Sequence, residues 1–118
     1  MSPRKIKVVL WTSISILSIQ FLVAGAGKLF GAWTTKFEDW GYSMTLMYVV
    51  GVCEVLGVPG LFLPVTRKWA AIMFMIIMAG AAWTHIVNQE YSRLLHNGIV
   101  AGLALLVLRL STDSKAKE

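Results

Sequence analysis

Met44–Leu63 reads MTLMYVVGVCEVLGVPGLFL, an apolar run with a single charge, Glu54, near its middle. About 20 such residues are what a helix needs to cross the hydrocarbon of a bilayer. Three more runs of the same kind lie around it, Val8–Phe30, Trp69–Val87 and Leu94–Leu110. Their lengths, about 23, 19 and 17 residues, fall within the span range of about 17–25. A helix satisfies its own backbone in lipid, whereas strands would have to close into a barrel of shorter, alternating segments. The pattern predicts an all-α, membrane-embedded four-helix bundle. It is one domain over 1–118, with helices at about 8–30, 44–63, 69–87 and 94–110.

Composition agrees. Of 118 residues, 57% are hydrophobic and 14% charged, with a mean hydropathy of +0.68. Soluble domains average about 45–50% apolar and about 25% charged residues. A soluble chain this short has too much surface to hide so many apolar side chains. Disorder, a fibre, a disulfide scaffold and a soluble enzyme are therefore excluded. A net charge of +5 raises nucleic acid as a partner, but the basic residues sit at the ends of apolar runs rather than on one polar face. Anionic lipid headgroups are the better counter-charge. The single cysteine, Cys53, closes no internal disulfide, and no zinc-ligand spacing occurs, so no metal is expected.

Arg4, Lys5, Lys7, Arg67, Lys68, Arg109, Lys115 and Lys117 fall on one side of the four runs, and Lys36 and Arg93 on the other. By the positive-inside rule both termini are cytoplasmic. Ala24-Gly25-Ala26 resembles a signal-peptidase site, but the apolar stretch before it exceeds a signal-peptide core of about 7–15 residues. In the loop from Gly31 to Ser43, Trp33, Phe37 and Trp40 recur at helical spacing. A short amphipathic helix on the outer membrane interface is expected there, with its aromatics as anchors.

Lys28, Glu54 and His85 are the polar residues that lipid should not contain. An ionisable group near mid-bilayer costs about 2.5–3.5 kcal/mol on insertion scales, so it faces the bundle or a wet cavity and has a partner. In an up-and-down bundle Lys28, His85, His96 and Asn97 share the outer leaflet, with Glu54 just below. Lys28, Glu54 and His85 each lie three or four residues from small residues, which mark faces where membrane helices approach closely. Gly25, Gly51, Gly57 and Gly80 are the expected packing glycines. The sequence thus predicts a buried Lys28–Glu54 pair with His85 above it, and His96, Asn97 and Trp83 as secondary candidates. The alternative is a salt bridge that fixes helix register and does no chemistry. A histidine pair, His85 and His96, is too weak a signal to place a haem.

Ala24-Gly25-Ala26-Gly27-Lys28-Leu29, Phe37-Glu38-Asp39-Trp40-Gly41-Tyr42, Gly51-Val52-Cys53-Glu54-Val55-Leu56-Gly57 and Met78-Ala79-Gly80-Ala81-Ala82-Trp83-Thr84-His85 follow one another in order. With Leu63-Pro64, Arg67, Ala70 and Ala71 between them, they resemble the DoxX-like family of small four-helix membrane proteins over about Val8 to Leu110. The resemblance implies a multi-pass protein of a bacterial plasma membrane. It also implies a membrane subunit or anchor of a redox complex, with quinone as the implied cofactor and Lys28, Glu54 and His85 as matching polar positions. The partners it implies are the lipid bilayer, a redox protein and further copies of the chain. No cysteine pair, dinucleotide fingerprint or metal cluster marks a redox centre in the sequence itself. Two other roles remain open, a non-catalytic assembly or scaffold protein and a small-molecule transporter.

Overall fold

The computed structural model describes residues 2–112; Lys115 and Lys117, counted above, lie outside the described residues. The helices are α1 (Pro3–Leu29), α2 (Thr34–Trp40), α3 (Met44–Phe62), α4 (Pro64–Val87) and α5 (Leu94–Thr112), with a 3-10 turn at Tyr91–Arg93 leading into α5. α1, α3, α4 and the Tyr91–Thr112 stretch are long and apolar enough to cross a membrane. α2 is the short helix of the loop.

Two helices start earlier than their apolar runs. α1 begins at Pro3 rather than Val8. The Ser2 hydroxyl oxygen accepts a hydrogen bond from the Lys5 backbone N–H at 3.2 Å, and proline at the first helical position loses no bond. α4 begins at Pro64 rather than Trp69, so Leu63 alone separates it from α3. Arg67, expected as a loop charge, is therefore helical and buried. Its Nε donates to the Leu61 carbonyl at 2.6 Å and its Nη2 to the Phe62 carbonyl at 3.2 Å. The guanidinium also lies 5.0 Å from the centre of the Trp11 ring. Arg67 thus satisfies carbonyls that the end of α3 leaves without helical partners.

Consecutive spans run antiparallel. Trp11 meets Phe62 across α1 and α3, while Gly25 of α1 meets Gly51 of α3. α4 packs on α3 and α5, and α5 closes on α1. Both ends of the described chain thus lie at one end of the bundle, and α2 at the other.

The half nearer the termini is densely packed. Leu10, Ile14, Leu17 and Phe21 of α1, Leu61 of α3, Ala71 and Phe74 of α4, and Ala104 and Val107 of α5 form one buried core. Phe21 and Phe74 stack with ring centres 3.8 Å apart. Close helix approach is built from glycine. A Cβ on Gly25 would lie 2.9 Å from the Gly51 carbonyl oxygen, and one on Gly57 would lie 2.5 Å from the Phe74 ring. Gly80 differs from the expectation: a Cβ there would meet nothing within 4 Å. Small residues one turn from an ionisable group do not guarantee a facing helix, and on α4 that face opens on a cavity.

Candidate ligand-binding site

Lys28 and Glu54 owe their meeting to the glycines beside them. Gly25 and Gly51 let α1 and α3 touch, and one turn along each helix brings Lys28 Nζ to 2.8 Å from Glu54 Oε1. The glutamate side chain is 1% exposed. The contact is a buried ion pair in which the ammonium meets Oε1 of the carboxylate. The ammonium also lies 4.4 Å from the centre of the Trp33 ring, a favourable cation–π distance. Lys28 is held between a carboxylate and an indole face.

His85 lines the same cavity but hydrogen-bonds to a loop carboxylate rather than to that pair. Its Nδ1 is 3.0 Å from Glu90 Oε1. A carboxylate accepts, so in the neutral ring this contact assigns the proton to Nδ1 and leaves Nε2 as the acceptor. The same Glu90 oxygen accepts the Trp40 indole N–H at 3.1 Å, and Lys36 Nζ lies 3.8 Å from Oε2. Hydrogen bonding to His85 is the foremost cause that holds the Glu90 carboxyl below its ordinary value, with Trp40, Lys36 and Arg93 adding to it against a desolvation effect that raises it. Beside this latch, the Thr84 hydroxyl donates to the Gly80 carbonyl at 2.9 Å. The 2.7 Å contact between Tyr42 and Thr84 must then have the tyrosine hydroxyl as donor, because threonine has one proton to give.

α2 carries its aromatic face inward. Phe37 is buried, and Trp33, Phe37, Trp40 and Tyr42 form a cluster that reaches His85 edge to face at 5.8 Å. Gly31 and Gly41, at φ +87° and +82°, flank the helix and take left-handed turns that other residues rarely adopt. Those turns fold α2 back over the bundle, where its aromatic residues roof a cavity.

The cavity has a volume of about 740 Å³. Its floor is Lys28 and Glu54, and its roof Trp33, Phe37, Trp40 and Tyr42; Thr84 and His85 line the α4 wall. His96 and Asn97 contribute from the start of α5. Asn97 is buried and donates to the Met78 carbonyl at 3.1 Å, tying α5 to α4. His96 is exposed at the rim. Trp83 is 66% exposed and lies outside the lining, so it faces lipid and takes no part in the site. Glu90 was not legible as a site residue, since it sits in a polar loop without periodicity. Its signal is local: Gln89 adopts φ +60°, and the Glu90 N–H returns to the His85 carbonyl at 2.7 Å.

Residues 12–107 match the DoxX-like family. The chain belongs to that family. No curated protein and no solved structure matches it. The match reaches into all four spans of this DoxX-like protein and takes in the whole cavity lining, from Gln20 to Asn97. Family and hydropathy together make it a multi-pass membrane protein whose exposed apolar side chains meet lipid.

Proposed function

We propose that this DoxX-like protein is a membrane subunit of a redox complex and that its cavity holds the head group of a lipid-soluble quinone. The observation that carries the reading is the partly open, mostly apolar space of about 740 Å³ with a few convergent polar groups. Pockets for drug-sized ligands span about 300–1,000 Å³ and have that character. The lining fits the group. Lys28 and Glu54 line the cavity as an ion pair, so a ligand carbonyl or hydroxyl would meet an ammonium donor and a carboxylate acceptor there. Trp33 and Trp40 offer ring faces for a flat head group. A bound quinone supplies electron acceptance coupled to proton uptake. Glu54 and His85 are the groups that hold or pass a proton beside it, Lys28 positions the carboxylate, and a partner protein supplies the electrons. The basic bias and the family support a bacterial plasma membrane with both termini cytoplasmic.

A second reading, an assembly protein without chemistry, draws on the same ion pair, which fixes the register of α1 against α3. Two measurements separate them. Protein purified in mild detergent is extracted for mass spectrometry of bound small molecules and used to capture partners. Tryptophan fluorescence is then titrated with a tail-less quinone. Bound quinone, saturable quenching and a captured redox protein are expected. No quinone, no saturable quenching and no redox partner would leave the assembly role.

A further inference from the structure

We propose that the ligand of this cavity carries a long hydrocarbon tail, and that the tail leaves the bundle sideways between α3 and α4, past Gly80. The inference rests on the ligand-binding reading above and specifies which amphiphile the site takes and how it enters.

α3 and α4 form a wedge. Near the one-residue link at Leu63 they are pressed together: a Cβ on Gly57 would strike the Phe74 ring at 2.5 Å, and one on Gly60 would lie 3.2 Å from the Ala70 Cβ. Toward α2 they part. Gly80 has open space on its free face, and Leu46, Val50, Ile76, Ile77 and Gly80 line the cavity from these two helices. Ile76 is 67% exposed and Leu46 is 41% exposed. Side chains that line the cavity and also form the outer surface mark an opening.

The opening continues outward. Val50, Ile76 and Ile77 also line a second space of about 230 Å³, which runs along the same seam past Cys53 and Trp69 and has no polar surface. The polar lining sits elsewhere, with Lys28 and Glu54 on the floor, Thr84 and His85 on α4, and Arg93 and His96 at the start of α5. The site therefore has a polar end and a greasy end. Both helices of the seam are membrane spans, so the greasy end faces hydrocarbon. An apolar slot excludes water, and a chain threaded through it keeps an amphiphile's tail in lipid while its head is enclosed. Glycine weakens a helix interior; at position 80 it leaves the slot clear, because any side chain there enters the passage.

Reconstituted in nanodiscs, the full chain is photolabelled with a quinone bearing a diazirine on a ten-carbon tail, and separately with a phospholipid bearing it on an acyl chain. The proposal expects quinone labels on the 46–53 and 72–80 segments, competed by unlabelled tailed quinone. Gly80→Phe should weaken binding of the tailed probe about tenfold or more, the scale of one blocked apolar group, and should weaken the tail-less probe by a clearly smaller factor. Gly80→Ala keeps the helix and reports any effect on folding, read as thermal stability. Labels confined to α1 and α5, or a tailed probe indifferent to Gly80→Phe, would overturn the lateral exit while head-group binding stands. Phospholipid labelling of the seam that quinone does not compete assigns the slot to bilayer lipid, and cross-links between chains across it assign it to a second copy; either also overturns the proposal. If neither quinone binds saturably, the cavity reading fails first.

Discussion

The two halves of the bundle solve opposite problems with the same residue types. Near the termini, Phe21, Phe74, Leu17 and Leu61 leave no usable space. Near α2 the helices diverge around a cavity, and closure is delegated to a seven-residue helix held by hydrogen bonds and aromatic contacts. In lipid a packed half gains little from burial alone, since hydrocarbon is as apolar as a leucine core; close fit and interhelical polar contacts carry the association. The packed half thus supplies rigidity, and the open half is free to spend its polar side chains on a ligand. The Lys28–Glu54 pair sits on the boundary.

The largest expected effect is at that boundary. Removing one member of a buried pair typically costs about 3–5 kcal/mol, because a buried charge is left behind. Lys28→Met should therefore destabilise the protein strongly in detergent unfolding, and Lys28→Met with Glu54→Gln should recover most of the loss. Failure of the double variant to recover would mean that the ammonium matters for more than neutralising Glu54. A double variant unchanged in both stability and quinone binding would remove the pair from function and structure alike.

Next comes the packed half. Phe74→Ala deletes one ring of a stack from a site with no exposed surface. Such truncations cost about 3–5 kcal/mol in water-soluble cores. About 2–3 kcal/mol is the expectation here, because lipid replaces water as the surroundings of the separated helices. The same truncation of Phe37 in the roof should cost less stability and more binding. Equal losses at both positions would erase the distinction between the halves.

How far these contrasts were legible in the sequence depends on what each residue does. The four spans followed from apolar length alone. Lys28 and Glu54 stood out because a charge in a lipid-crossing helix needs a partner. The inward turn of α2 does not stand out: an aromatic stripe at helical spacing suits a membrane surface and a cavity roof equally, and the fold over the bundle follows from two left-handed glycines. Arg67 lies just outside the apolar run Trp69–Val87, and a buried cap on a neighbouring helix end has no linear signature. Gly80 and Gly57 look alike in sequence, and only the wedge between α3 and α4 distinguishes them.

That pair of glycines gives a smaller, sharper test. Gly57→Ala puts a methyl 2.5 Å from a ring that is itself packed, and overpacking costs about 1–3 kcal/mol. Gly80→Ala meets nothing within 4 Å and should stabilise by about 0.5–1 kcal/mol, the helix preference of alanine over glycine. Opposite signs in thermal unfolding support the wedge, and matching signs would close it.

The smallest effect belongs to the roof latch. Glu90 has a lowered pKa because His85, Trp40 and nearby cations favour its charged form. A depressed carboxylate contributes stability that is present above its unfolded value, about 4.3, and is lost as pH falls through the lower folded value. Lys36 of α2, His85 of α4 and Arg93 of the 3-10 turn are the charged or titratable groups around it. Acidification below about pH 4 should therefore release Trp40 before the core unfolds, seen as a change in tryptophan emission while helical circular dichroism holds. For a partly exposed pair the stability at stake is about 0.2–1 kcal/mol, small for the fold but sufficient to shift how often α2 opens. Glu90→Gln should reproduce the acid emission at neutral pH and abolish its pH dependence. An unchanged acid transition in that variant would place the latch elsewhere, and the roof would then rest on Phe37 and the Tyr42–Thr84 hydrogen bond alone.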